Sequence, residues 1–164
     1  MSIRHKALRF SFAILIIFLD QLSKVAILYH LSFKDVITVT SFFNLTLTFN
    51  RGVSFGFFPA DTLWGKLVLV LIAVSFVVWL VFCLWKAEEL FNQIGYSLII
   101  GGALGNLVDR LQYGAVVDFL QFHLYNHFFP VFNIADSAIT VGVILIFLQQ
   151  AWHVGKKKKG QGII

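Results

Sequence analysis

Four predominantly apolar stretches, at roughly 8–30, 62–85, 92–111 and 134–153, constrain this chain more than any other feature. Each is long enough for a helix to cross the hydrocarbon core of a bilayer, which takes about 20 residues. Apolar residues make up 59% of the chain and charged ones 13%, against about 45–50% and 25% in soluble domains. A soluble fold of 164 residues has too little interior for that much apolar surface, so the excess faces lipid. The expected architecture is a single all-α integral membrane domain over residues 1–164, with four transmembrane helices.

The first stretch opens like a cleavable leader, with Arg4, Lys6 and Arg9 ahead of the apolar run Phe10–Leu19. However, Asp20-Gln21-Leu22-Ser23-Lys24 stands where small cleavage-site residues belong, and apolar residues resume through Val25–Leu31. A retained helix carrying two charges is expected. Together with Lys156, Lys157, Lys158 and Lys159, the basic residues near the N-terminus account for seven of the thirteen Lys and Arg. Four spans put both termini on one side, and the positive-inside rule makes that side cytoplasmic, including a basic tail at 154–164. Terminal clusters of this kind argue for membrane anchoring and against a nucleic-acid-binding face. The turn at Lys86-Ala87-Glu88-Glu89 falls on the cytoplasmic side, and the connections at 31–61 and 112–133 on the other.

Within 31–61, Val36, Thr38 and Thr40 alternate with Ile37 and Val39, then Leu45, Leu47 and Phe49 with Thr46 and Thr48. Period two with β-branched residues predicts short strands. Phe57, Phe58, Leu63 and Trp64 around Pro59 predict an aromatic segment at the outer interface. Cys83 is the only cysteine, so no intrachain disulfide forms; its apolar neighbours predict a small buried hydrophobe.

Ionisable groups inside a bilayer cost about 2.5–3.5 kcal/mol each. Asp20, Lys24, Asp109 and Arg110 nevertheless lie in or at the ends of the expected spans. Asp20 and Lys24, one helical turn apart, can neutralise each other, so Asp20→Asn would strand Lys24. Asp109 beside Arg110 can form an interfacial ion pair. Asp118 and Asp136 have no cation within four residues, and the topology brings both to the outer face. Two carboxylates sharing a site cannot easily both ionise, and such a pair can activate a water while polarising a carbonyl. The apolar bracket Val116, Val117, Phe119 and Leu120 favours the proton on Asp118. Asn133 as the N-cap of the fourth helix places Asp136 in its first turn, where an anion is favoured.

Other constellations fail on inspection. His123-Leu124-Tyr125-Asn126-His127 has zinc-protease spacing but Leu124 where the general base belongs, and fits an interfacial aromatic loop. Ser54 of Gly52-Val53-Ser54 lacks a histidine in a span to serve as its base. Gly101-Gly102-Ala103-Leu104-Gly105 follows no strand; its small residues fit close helix contact instead of phosphate binding. Intramembrane acids also mark ion pathways, so a small proton-coupled transporter is a rival reading, and a non-catalytic assembly factor a second. Transporters usually carry internal repeats, and none is visible here.

Five blocks occur in register with the four spans: Asp20-Gln21-Leu22-Ser23-Lys24, Asn50-Arg51-Gly52-Val53-Ser54-Phe55, Gly101 through Arg110, Val116-Val117-Asp118-Phe119, and Phe132-Asn133-Ile134-Ala135-Asp136-Ser137. Through these blocks the chain resembles the lipoprotein signal peptidase (signal peptidase II) family along nearly its whole length. Val53-Ser54 departs from the family pattern, which has two alanines there. The resemblance implies an aspartic endopeptidase of the bacterial inner membrane. Its substrates would be prolipoproteins carrying a diacylglyceryl group on a cysteine, cut just before that residue. It implies Asp118 and Asp136 as the catalytic dyad. Asp20, Lys24, Asn50, Gly52, Asn106, Asp109, Arg110 and Asn133 would be the supporting polar residues. It also implies a small extracytoplasmic β-sheet from 31–61, a short interfacial helix near Pro59, membrane lipids as surroundings, and no metal or cofactor.

Overall fold

The computed structural model describes residues 3–52 and 62–160. Among them the elements run α1 (Ile3–His30), β1 (Val36–Thr40), β2 (Phe43–Asn50), α2 (Leu63–Lys86), α3 (Leu90–Tyr113), β3 (Val116–Leu124), β4 (His127–Phe128) and α4 (Ile134–Gly160). The fold is mostly helical with a small antiparallel sheet. Among the described residues three segments are long and apolar enough to cross a membrane: Phe10–His30, Leu63–Lys86 and Ile134–Lys156, with mean hydropathies of 1.9, 3.2 and 1.7. α3 has the length but carries Asn92, Gln93, Ser97, Asn106, Asp109 and Arg110.

That polarity follows from position. α3 is the central helix, packed against α1, α2 and α4, so its polar side chains meet other helices. Leu80 and Leu84 of α2, Ile99 and Ile100 of α3 and Ala13 of α1 form the apolar centre. Lipid tails are as apolar as leucine, so close backbone contact must supply much of the association. Glycines supply it here. A Cβ on Gly101 would lie 2.7 Å from the Ala13 carbonyl oxygen of α1, and one on Gly95 would lie 2.8 Å from that of Gly142 in α4. At Gly102 it would collide with the carbonyl oxygen of Ala135. Gly102→Ala is therefore expected to push α4 off α3 and to cost about 1–3 kcal/mol by overpacking. Gly155→Ala, where nothing lies within 4 Å, is the control that should not destabilise; thermal unfolding in detergent checks both.

Helix ends follow local chemistry. The Thr62 side chain accepts from the Gly65 N–H at 3.1 Å to start α2. Gly114, at a φ of 68°, closes α3 with its N–H on the Arg110 carbonyl. α4 runs beyond its expected end at 153 and takes in the lysines assigned to a tail. Lysine is a good helix former, and cations suit the negative pole of a helix C-terminus. His153 Nε2 lies 3.7 Å from Glu89 Oε1, which puts the far end of α4 beside the α2–α3 turn. Cys83 is half-buried on α2, not fully buried as expected.

The sheet differs most from expectation. Its order is β1-β2-β3-β4, so both outer connections build it, not 31–61 alone. β3 escapes period-two detection because Val116, Val117, Asp118 and Phe119 are all buried, leaving no polar face to alternate. The segment at 123–127 is a hairpin turn, not a loop: Leu124 pairs with His127, and Tyr125 turns the chain at a φ of 52°. In β2 the polar Asn44 and Thr46 are buried along with Leu47, and the register with β3 shifts between Leu45 and Thr48. Leu31, Leu47 and Val117 pack together and fasten the sheet to the end of α1. The interfacial helix expected near Pro59 lies outside the described residues.

Candidate active site

β2 pairs with β3 so that Thr48 faces Asp118, and an isolated bridge joins Leu120 to Phe132. That bridge carries Asn133, the residue before α4, to Asp118. Asn133 Nδ2 donates to Asp118 Oδ1 at 2.7 Å. Its Oδ1 accepts from the Asp136 N–H at 2.9 Å, and its own N–H donates to Asp136 Oδ2 at 3.3 Å. This reciprocal pair is a capping box with Asp in place of Glu. One residue thus holds both carboxylates at the start of α4, at the end of the bundle opposite the α2–α3 turn.

Asp118 is 2% exposed, while Asp136 is half-buried. Burial pushes the Asp118 carboxyl up to about 6, and the nearby charge of Asp136 pushes the same way. Hydrogen bonds from Asn50 and Asn133, and the charge of Lys24, oppose the rise without cancelling it. The direction matches the apolar bracket read from the sequence. The size is smaller than full protonation at neutral pH requires: a carboxyl of pKa about 6 is mostly ionised at pH 7 and mostly protonated at pH 5.

Beneath the pair lies a buried polar network. Lys24 Nζ sits 2.8 Å from Asp20 Oδ2 and 2.7 Å from Asp109 Oδ2. It also donates to Asn106 Oδ1 at 3.1 Å. The expected Asp109–Arg110 ion pair is replaced by Asp109–Lys24, and Asp20 is not the sole partner of Lys24. Two anions around one cation leave an excess negative charge, which backbone N–H groups meet. Ala135, in the first turn of α4, donates to Asp20 Oδ1 at 2.9 Å, and Val117 donates to Asp109 Oδ2 at 3.0 Å. Each carboxylate therefore also orients a backbone segment next to Asp118 or Asp136. Asn106 links the layers: its Nδ2 donates to Asp136 Oδ1 at 2.7 Å, and its Oδ1 accepts from Asn133 Nδ2 at 3.1 Å.

The remaining expected residues fall nearby with different duties. Asn50 accepts the Gly52 N–H at 2.9 Å, and Gly52 adopts a φ of 95°, so both shape the turn leaving β2. Arg110 donates to the Asn106 carbonyl at 3.3 Å. Gly105 faces Asp20 and Gly102 faces Ala135, so helix contact fills the space that these glycines would otherwise leave for a ligand. Gln21 was not among the expected site residues. It donates to Asp109 Oδ1 at 3.0 Å and to Asp20 Oδ2 and the Gly105 carbonyl at 3.2 Å. A glutamine beside a carboxylate in an apolar span was its signal. His123 and His127 lie on strands, not on a helix. Among the described residues no group of three or more His, Cys, Asp or Glu is arranged to hold a metal ion.

Helices apolar enough to span a bilayer, gathered around a buried Lys–Asp network below a carboxylate pair, define a membrane protein with an acidic site at one end of its bundle. The family model described as signal peptidase (SPase) II matches residues 12–152. The lipoprotein signal peptidase of Burkholderia cenocepacia is 44% identical over 144 residues, covering 87% of this chain and 86% of that one. That of an Azoarcus species is 45% identical over 145 residues, covering 88% and 82%. Two solved structures, each described as a bacterial membrane enzyme, superpose with TM-scores of 0.78 and 0.80 at 33% and 32% identity. The first comparison covers 90% of this chain and 93% of that one, the second 94% and 92%. The chain belongs to the signal peptidase II family.

Proposed function

We propose that this protein removes signal peptides from bacterial prolipoproteins as an aspartic endopeptidase, cutting just before the diacylglyceryl-modified cysteine. The observation that carries this reading is the joint hold of Asn133 on Asp118 and Asp136. The network gives the transporter and assembly-factor readings nothing comparable, and the family is one of peptidases. In the proposed reaction ionised Asp136 takes a proton from a water whose oxygen attacks the scissile carbonyl carbon. Protonated Asp118 donates to the carbonyl oxygen. Collapse of the resulting diol returns one hydroxyl proton to Asp118 as the carbonyl reforms and the C–N bond breaks, and the proton held by Asp136 passes to the departing amine. Asn50, Asn106 and Asn133 hold the pair, while Asp20, Lys24, Asp109, Arg110 and Gly52 maintain its frame. Incubating detergent-solubilised protein with matched lipidated and unlipidated precursors tests the reading. Cleavage of the lipidated form alone is expected, and no cleavage of either would refute it.

The pH dependence follows from the pair. Cleavage needs one proton on it, so the profile should be bell-shaped. The alkaline limb of kcat/KM, which reports the free enzyme, should fall near the Asp118 value of about 6. The limb in kcat should lie higher, because bound substrate displaces water and favours the neutral acid.

In the same reading α3 is the fourth transmembrane helix of a single domain in the inner membrane, its polar residues tolerated because they face other helices. Both termini are cytoplasmic and the dyad lies near the extracytoplasmic face. In a Cys83→Ala background, Asp35→Cys and Tyr125→Cys should react with an impermeant thiol reagent in intact spheroplasts, and Ser2→Cys should not. The opposite pattern would invert the topology.

A further inference from the structure

A groove of about 480 Å³ lies between α2 and α3 beside the turn that joins them, at the end of the bundle opposite the dyad. Trp79, Phe82 and Lys86 line it from α2 at helical spacings of three and four. Asn92 and Tyr96, one turn apart, line it from α3, and Glu88 from the turn. The Lys86 ammonium lies 4.2 Å from the centre of the Phe82 ring. Among the described residues neither Lys86 nor Glu88 enters an ion pair. Asn92 Oδ1 is buried and has no hydrogen-bond partner among them. Helix poles account for a cation ending α2 and an acid ahead of α3, and an interfacial aromatic belt accounts for Trp79 and Tyr96. Neither accounts for an amide oxygen left without a donor in the same groove, which is a costly state.

The membrane placement proposed above, on which this inference rests, sets the groove where the headgroup layer meets the hydrocarbon. Phe76, stacked on Trp79 at 5.7 Å, carries its apolar wall further along α2, and both rings are exposed. We infer that the groove binds a phospholipid whose headgroup joins a phosphate to a primary ammonium, as in phosphatidylethanolamine. The phosphate accepts from Lys86, and the ammonium donates to the Glu88 carboxylate and to Asn92 Oδ1. An acyl chain lies along Trp79 and Phe76. Asn92 is half-buried, and rotation about its Cβ–Cγ bond, a broad torsion, turns the oxygen into the groove. A trimethylated ammonium has no N–H to donate, and an anionic glycerol headgroup sets net negative charge against Glu88. The acceptors therefore select among the phospholipids of one bilayer.

Free phosphoethanolamine shares the headgroup's chemistry, so the experiment must separate the two sources. Full-length protein taken from bilayers of dioleoyl phosphatidylethanolamine, phosphatidylcholine and phosphatidylglycerol in equal parts would be examined by native mass spectrometry for retained lipid. The wild type should retain phosphatidylethanolamine over phosphatidylcholine roughly tenfold, the scale of one charge-assisted hydrogen bond. Glu88→Gln/Asn92→Leu should lose that preference. Lys86→Gln should lower retention of both lipids alike, because both carry the phosphate. Asn92→Asp keeps an acceptor and should keep the preference, which guards against mistaking misfolding for lost binding. Equal retention of the two lipids by the wild type, or an unchanged preference in the double variant, would overturn the proposal. Preferential retention of phosphatidylglycerol would reject the zwitterionic ligand. Displacement of the lipid by millimolar phosphoethanolamine would reassign the site to the free headgroup and reject a lipid ligand. Retention is read without turnover, so failure here leaves the peptidase reading intact, and failure of cleavage leaves the lipid site standing.

Discussion

Asp118→Asn is expected to abolish cleavage, by about three orders of magnitude or more on the scale of lost acid–base groups, and to make the protein more stable above pH 7. The two effects share a cause. The folded state holds the Asp118 proton up to about pH 6, against an ordinary carboxyl value of 3.8. Between those values the folded protein binds more protons than the unfolded chain. Stability therefore falls as pH rises through the window and stays lowered above it. A shift of this size corresponds to about 3 kcal/mol. Asn has no charge to desolvate and can still accept from Asn133, so the variant should lack the fall. At pH 8 its melting temperature should exceed that of the wild type by roughly 6–12 °C, with the gap closing toward pH 4. A melting temperature equal to or below that of the wild type at pH 8 would mean that Asp118 is not held at the expense of stability.

Lys24→Met is expected to be the most destabilising single change in the bundle. Asp20 and Asp109 are both 0% exposed, and the substitution leaves two buried carboxylates without their cation. Breaking a buried pair costs about 3–5 kcal/mol, and here one cation serves two anions. Asp20→Asn should cost less than its sequence context suggests, because Asp109 at 2.7 Å still neutralises Lys24. Its damage should appear at the N-terminus of α4, where the Ala135 N–H loses a charged acceptor. Thermal unfolding in detergent at a single pH orders the variants. An Asp20→Asn protein as unstable as Lys24→Met would show that Asp109 does not share the lysine.

The contrast between these two residues shows what could be read from the chain. Asp20 and Lys24 are four positions apart, so their pairing was legible from helix geometry alone. The Lys24–Asp109 contact joins α1 to α3, and no local pattern encodes it; the neighbouring Arg110 offered a closer but wrong partner. The spans of α1, α2 and α4 were visible because lipid-facing helices are apolar almost all round. Their central partner α3 was visible as a helix although its polar residues dilute the signal. Asp118 and Asp136 stood out because acids without nearby cations are costly near a membrane. β3 stayed hidden because burial on both faces removes the alternation that marks a strand. Asn133 could be placed as a helix cap from its spacing to Asp136. Its second bond, to Asp118, depends on the bridge between Leu120 and Phe132 and so on the folded sheet.

The proposed pairing of Asp118 with Asp136 is tested most directly by single-turnover cleavage of a lipidated precursor, with bound precursor quantified in parallel. Wild type, Asp118→Asn and Asp136→Asn should bind it alike, since neither substitution changes side-chain volume appreciably. Only the wild type should release the signal peptide. Near-normal turnover by either variant, with binding intact, would contradict the dyad.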